Sequence, residues 1–203
     1  MITVVHYGMG NIGSLCNMLH ILGEEVHVAT TPEELATAEK IILPGVGAFD
    51  TAMESMERSG LGAALKGLMQ EKNLPLLGIC LGMQLLTKGS EEGRRPGLGL
   101  VEAETVRFRF ADPEIKVPHM GWNTVCVQGQ HPLCSELNDH SRFYFVHSFY
   151  VHLEQAQHAM FTTNYGGSDF VSGFAKGTVF GVQFHPEKSH RFGKTLLKHF
   201  IEL

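Results

Sequence analysis

No apolar run in this chain approaches the roughly 20 residues needed to cross a bilayer. The opening residues, "MITVVHYG", lack the basic n-region and cleavage site of a secretory signal and read as a first strand. Both absences lead to the expectation of a cytoplasmic protein. Basic charge is scarce too: 16 Lys and Arg against 21 Asp and Glu leave a formal charge of −5, whereas a nucleic-acid footprint shows a basic excess or stripe. The four cysteines, Cys16, Cys80, Cys126 and Cys134, have no C-x-x-C spacing, and a core of this size needs no disulfide scaffold. Twelve histidines are present without H-E-x-x-H or a Cys/His ligand cluster, so neither a metal nor a cofactor is expected. Repeats, low-complexity stretches and linkers are missing as well. The 203 residues, 43% hydrophobic and 18% charged, read as one domain over 1–203.

What is present alternates. An apolar run at 2–7 precedes a helix face made by Ile12, Leu15, Leu19 and Leu22 and closed by Gly23. "EVHVAT" reads as a strand. Thr31 is then an N-cap, followed by Pro32 at the first helical position and two acids in the first turn. "KIILPG" is a third strand. Met53, Met56, Leu61, Leu65 and Leu68 mark one helix, or two broken near Gly60 and Gly62. "LPLLGIC" and "LGMQLLTKG" supply the next strand and helix. Such alternation predicts right-handed crossovers and a parallel sheet covered on both faces. From "LVEAETVRF" to "VFGVQFHPE" the second half is rich in short strands and predicts an antiparallel extension. Ser189 is expected to cap a last helix carrying Phe192, Leu196, Phe200 and Leu203. The fold class is thus α/β, a mostly parallel open sheet with an antiparallel extension.

"GMGNIG" (8–13) matches G-x-G-x-x-G between a strand and a helix, the setting of a dinucleotide-binding fingerprint. An NAD-dependent oxidoreductase is therefore a rival reading. That fingerprint needs an acid about 20 residues on, at the end of the second strand. Here the strand ends "VATT", with no carboxylate and no nearby Arg for a 2′-phosphate. The glycines read instead as a tight turn.

"GICLG" (78–82) has the form of a nucleophile elbow, G-x-S-x-G with Cys for Ser. The flanking glycines relieve crowding around Cys80 on a strained strand-to-helix turn. The helix N-terminus supports a thiolate there, and the Leu81 N–H is placed to donate to an oxyanion. A thiol nucleophile needs a base, and the base an orienting group. In "FGVQFHPEKS" (180–189), Pro186 keeps His185 extended, and Glu187 two positions on projects to the same side. Taken alone, His185-Pro186-Glu187 also suits a surface turn. "LPGVGAF" (43–49) can aim backbone N–H groups of Gly45, Val46 and Gly47 at one point, as an oxyanion hole requires, or form a plain β-turn. All three glycine-dependent features fall at strand ends, where open α/β sheets bind ligands.

Together, "PGVGAF", "LLGICLGMQLL" and "GVQFHPEKS" resemble the class I (triad) glutamine amidotransferases, and the resemblance covers essentially the whole chain. "YGMGN" (7–11), "PHMGWN" (118–123) and "YFVHSFY" (144–150) narrow it to the glutaminase subunits of imidazole glycerol phosphate synthase. The resemblance implies that Cys80 attacks the side-chain amide of L-glutamine, that His185 moves the proton and that Glu187 orients His185. It further implies that Leu81 and the Gly45–Gly47 loop hold the oxyanion. Gln84 and the backbone around Ser148 and Phe149 would meet the amino-acid end of the substrate, with His147 structural. Ammonia would pass to a (β/α)8-barrel synthase as heterodimer partner, met by Asn11, Met120, Trp122 and Asn123. As the only Trp, Trp122 could instead fill the core. Two departures stand out: His6 where relatives usually carry Asp, and Thr178 where Asn is common. They leave room for a paralogue whose partner serves surface-sugar amidination.

Overall fold

The computed structural model describes residues 1–10 and 12–203; the expected contact residue Asn11 lies outside them. The first half of the chain gives β1 (Ile2–Val5), α1 (Gly13–Ile21), β2 (Val26–Ala29), α2 (Pro32–Ala36), β3 (Ile41–Gly45), α3 (Phe49–Arg58), α4 (Leu61–Lys72), β4 (Leu76–Cys80) and α5 (Leu81–Leu85). Strands then dominate: β5 (Ala103–Arg107), β6 (His119–Thr124), β7 (Cys126–Val127), β8 (Arg142–His147) and β9 (Phe149–Leu153). β10 (Ala159–Tyr165), β11 (Ser168–Lys176), β12 (Val179–Val182) and α6 (His190–Glu202) complete it.

The main sheet runs β2-β1-β3-β4-β12-β11-β10-β7, with β9 joined to β11 and β5 to β9. Pairing is parallel from β2 through β12 and antiparallel beyond. This is the mixed sheet expected from the two halves of the sequence. β6 and β8 stand apart as a two-stranded antiparallel ribbon. Apolar residues cover both sheet faces. Leu35, Phe49, Met56 and Leu65, from α2, α3 and α4, pack into one core. Leu15 and Leu19 of α1 and Leu196 and Phe200 of α6 pack into the other, with Phe143 and Phe184. Those two phenylalanines stack with centroids 3.9 Å apart.

Local signals explain most boundaries. Thr31 and Glu34 form a reciprocal capping box that starts α2. The Met53–Leu68 pattern is two helices, because Gly60 takes a left-handed φ of 76° between them. Two expectations differ. The helix after β4 spans only Leu81–Leu85, and Ser189, although it precedes α6, does not cap it with its side chain. Its hydroxyl accepts from Tyr144 N at 3.0 Å and donates to His185 O at 2.6 Å, so it fastens the segment before the helix to β8.

The tightest backbone approach in the parallel half is at Gly82, where an added Cβ would fall 1.8 Å from the Leu43 carbonyl oxygen. Backbone cannot yield there as a flexible side chain would. Gly82→Ala is expected to cost about 3 kcal/mol or more in urea unfolding, the upper end of overpacking penalties. Gly67, inside α4 with nothing within 4 Å of a new Cβ, is the counter-case. Gly67→Ala should raise stability by about 0.5–1 kcal/mol. Equal effects at the two positions would contradict this packing account.

Candidate active site

β4 ends at Cys80 with φ 55° and ψ −112°, a conformation that costs a residue with a side chain roughly 1–3 kcal/mol. The chain turns there directly into α5. Gly78 is required because its Cβ would meet Gly82 O and Met83 Cα at 2.8 Å each. Both glycines thus exist to let the helix close onto the strands beneath it. The turn tips the Cys80 side chain into a cleft of about 340 Å³. Val46 and Gly47 from the loop after β3 line it with Leu81, Gln84, Ser148, Phe149 and His185. Gly45, the last residue of β3, is in register with Cys80. A Cβ on it would meet the Tyr7 phenol at 2.5 Å, and that phenol donates to Pro44 O at 3.0 Å.

His185 reaches the cleft from the neighbouring parallel strand, just after β12. Its backbone N donates to Tyr144 O at 2.9 Å, and its Nδ1 lies 2.7 Å from Glu187 Oε1. The contact expected from sequence is present, but for a different reason. Pro186–Lys188 forms a 3-10 turn rather than an extended segment, and the turn brings Glu187 back beneath the ring. A carboxylate only accepts, so Nδ1 carries hydrogen and Nε2 is left to face the cleft. Nε2 is buried without a fully formed hydrogen bond; the group that acts on it is the Cys80 sulfur. Burial pushes the imidazole down, but hydrogen bonding to Cys80 and Glu187, and their charge, raise it to about 10. The ring can therefore hold a proton at neutral pH next to the sulfur.

Gln84 is buried, and its amide donates to Phe149 O at 3.2 Å and Gln183 Oε1 at 3.1 Å. Only its own carbonyl oxygen is left for a ligand. A second set of bonds meets the same Phe149 carbonyl. His147 Nδ1 lies 2.7 Å from it, His147 Nε2 lies 3.0 Å from His119 Nδ1, and His119 Nε2 lies 3.2 Å from Asn123 Nδ2. Carbonyl acceptors fix every proton. His147 must donate from Nδ1, so its Nε2 accepts from His119 Nδ1–H, and His119 Nε2 accepts from Asn123. The Asn123 amide is oriented in turn by Asn164 O at 2.9 Å and by Thr124 N, which donates to its oxygen at 2.8 Å.

On the ribbon, β6 places Met120 and Trp122 outward, 63% and 40% exposed. Trp122 is not core filling; its ring lies parallel to His190 with centroids 5.3 Å apart. Asn123 turns inward to the histidines. Three residues at or beside the cleft were missed by sequence reasoning. Glu92 lines it while accepting from Phe49 N at 2.9 Å, and Gln183 and His119 support its walls. Glu92 sits in no recognisable local pattern, and although Gln183 and His119 fall inside "GVQFHPEKS" and "PHMGWN", nothing local marks the partners they meet. Among the described residues, no group of three or more His, Cys, Asp or Glu is placed to hold a metal ion, and no helix is long and apolar enough to cross a membrane.

A strand-end cysteine on an elbow, a His–Glu pair and a glycine loop around one cleft define a cysteine-dependent amidotransferase class. A model of the glutamine amidotransferase class-I family matches residues 3–203, and the chain belongs to that family. It is 48% identical to the imidazole glycerol phosphate synthase subunit HisH 2 of Pseudomonas aeruginosa, over 100% of both chains. It is 46% identical to the subunit of the same name from Methanococcus maripaludis, over 100% of this chain and 99% of that one. Among solved structures, PurLQS from Thermotoga maritima superposes with a TM-score of 0.75 at 20% identity, covering 99% of this chain and 97% of its own. A glutamine amidotransferase from Thermotoga maritima gives 0.66 at 20%, covering 99% of this chain and 82% of its own. These two share the fold.

The histidine chain generates an acid-sensitivity test. Burial lowers His119 to about 4. Burial also lowers His147 to about 3, against its bond to Phe149 O and aided by the charges of His119 and His185. Both rings are near 6.5 when unfolded, so below that pH the unfolded chain binds protons that the folded one refuses. The stability they contribute is complete above about pH 6.5 and is lost progressively toward about 4 and 3. Urea unfolding at pH 7 and pH 5 should show a smaller loss in His147→Gln than in the unmodified chain. Identical losses would rule out the neutral chain.

Proposed function

We propose that this chain hydrolyses glutamine and supplies the ammonia to a synthase, as the glutaminase subunit of an imidazole glycerol phosphate synthase. One observation carries the reading: Cys80 on its elbow and the His185–Glu187 pair, 2.7 Å apart, open into one cleft of about 340 Å³. A cleft of this volume suits a small amino acid. In this mechanism the Cys80 thiolate attacks the side-chain carboxamide carbon. The oxyanion takes hydrogen bonds from Leu81 N–H and from an N–H of the Gly45–Val46–Gly47 loop. His185 gives the Nε2 proton to the departing ammonia, leaving a glutamyl thioester. It then takes a proton from water, which attacks the thioester and releases glutamate. Glu187 holds the ring by Nδ1. At the amino-acid end, the Glu92 carboxylate pairs with the α-ammonium, and the Gln84 carbonyl and the Ser148–Phe149 backbone fix the rest.

Ammonia released into water is protonated and stops being a nucleophile, so the reading includes a docked partner. A (β/α)8-barrel synthase would cover the ribbon face at Met120 and Trp122, with Asn123 behind it; the contact expected from sequence at Asn11 lies outside the described residues. The complex would work in the cytoplasm on histidine biosynthesis, forming imidazole glycerol phosphate and aminoimidazole carboxamide ribotide. Its active form would need the loop peptide near Val46 to direct an N–H at the oxyanion. A glycine-flanked peptide can reorient at low steric cost, and Gly47 has a φ of 107°. His6 and Thr178 leave room for a second reading that differs only in the partner, a synthase for surface-sugar amidination.

Steady-state hydrolysis of glutamine tests the proposal. Cys80→Ala should abolish it, His185→Ala should come close, and Glu187→Gln should do less harm because it removes an orienting group and not the base. A glutamine-analogue electrophile should label buried Cys80 and spare exposed Cys126; labelling of all four cysteines would defeat the assignment. With the co-purified barrel partner and its ligand, turnover should rise at least about 10²-fold, the scale of one oxyanion donor, and Trp122→Ala should blunt the rise. Equal rates alone and in complex would leave a freestanding glutaminase.

A further inference from the structure

We infer that Gln183 is a further catalytic residue, its side-chain amide donating a hydrogen bond to the Cys80 sulfur. This rests on the assignment of Cys80 as nucleophile. Gln183 follows β12 and is fully buried. Its backbone N donates to Ser172 O at 2.9 Å, and its side-chain Nε2 lies 3.8 Å from Cys80 Sγ. A fully buried amide must find partners for both ends. Here the oxygen takes Gln84 Nε2 at 3.1 Å, and the sulfur is the partner left for the nitrogen.

Chemistry fixes which end is which. Phe149 O can only accept, so the Gln84 side chain must turn its NH2 toward it. The second hydrogen of that NH2 then points at Gln183, which must answer with its oxygen. The Gln183 NH2 is consequently directed at sulfur. Reversing Gln84 would set its oxygen against Phe149 O, and reversing Gln183 would set two NH2 groups against each other. The His147 N–H on the same Phe149 carbonyl holds that anchor in place.

Two effects follow. Gln183 cannot ionise, so its N–H supports the sulfur charge whatever the protonation of His185, and it is in place when the tetrahedral adduct of water and the thioester collapses and expels the thiolate. By occupying one hydrogen of Gln84, Gln183 also turns the Gln84 oxygen toward the substrate end of the cleft.

The test reads Cys80 directly and does not depend on glutamine turnover. Iodoacetamide alkylation of Cys80, followed by peptide mass spectrometry across pH, gives a midpoint with Cys126 as internal control. The other groups that bear on it are His185 with Glu187 behind it, the Tyr7 phenol beyond β1, the first N–H groups of α5, and Glu92 on the cleft wall. All stay unchanged in Gln183→Met and Gln183→Leu. Loss of a hydrogen bond to a charged group should move the midpoint up by about one pH unit in each folded variant. A midpoint equal to that of the unmodified chain in either overturns the inference. In the unmodified chain labelled with ¹⁵N-glutamine, the Gln183 side-chain amide protons should move downfield as Cys80 ionises; constant shifts overturn it as well. If the midpoint moves while the unmodified chain with its partner fails to hydrolyse glutamine, the sulfur contact stands and the glutaminase reading falls.

Discussion

Cys80 holds a left-handed backbone at φ 55° with no glycine's freedom to do so, and the surrounding packing is what keeps it there. α5 lies so close to β3 that Gly82 has no room for a Cβ beside Leu43 O, and Gly78 none beside Met83. Relaxing Cys80 into an ordinary conformation would lift this helix off the sheet. Strain at one residue is thus over-determined by contacts at several others, the condition under which such strain persists. The same closure sets the loop after β3. Gly45 is squeezed between the Tyr7 phenol and the start of α5, so Cys80, the first helical N–H groups and the glycine loop share one frame.

His185 belongs to a different frame, joined to the first by the sheet. β12 runs parallel beside β4, which delivers His185 to the same end as Cys80. Beyond that point the main sheet no longer holds it. His185 N bonds to Tyr144 O, and the Ser189 hydroxyl ties Tyr144 N to His185 O. β8 is one strand of the separate ribbon whose other strand exposes Met120 and Trp122. His185 is therefore fastened to the most exposed apolar face described above, and Cys80 is fastened to the parallel core.

What was legible in the sequence was short-range. Alternating strand and helix patterns, the Thr31 capping box and the break at Gly60 depend on neighbours within a few residues, and the fold's two halves follow from them. Cys80 with its glycines, and His185 with Glu187, were legible for the same reason. Even there the geometry differed, because a 3-10 turn and not an extended segment joins His185 to Glu187. Ser189 shows the limit from the other side: a residue suited to capping bonds a strand instead. Glu92, His119 and Gln183 were illegible because their partners are remote in the chain. Gln183 meets Gln84 across 99 positions and His119 meets His147 across 28. Only the sheet order brings them together, and a buried polar side chain carries no periodic mark of its partner.

The hydrogen-bond chain from Asn123 through His119 and His147 to Phe149 O resembles a conduit for protons, but its polarity forbids that role. Each imidazole has one proton and one lone pair, both committed. The chain ends on a backbone carbonyl that can receive a hydrogen bond but cannot pass a proton on. From there the connection continues only through the amides of Gln84 and Gln183, which do not exchange protons at a useful rate in a dry interior. Mechanically the ribbon and the cysteine are continuous; for proton transfer along these bonds they are not. A proton taken up at the exposed ribbon face has no route along this chain to the imidazole of His185; what passes between them is position and field, not a proton.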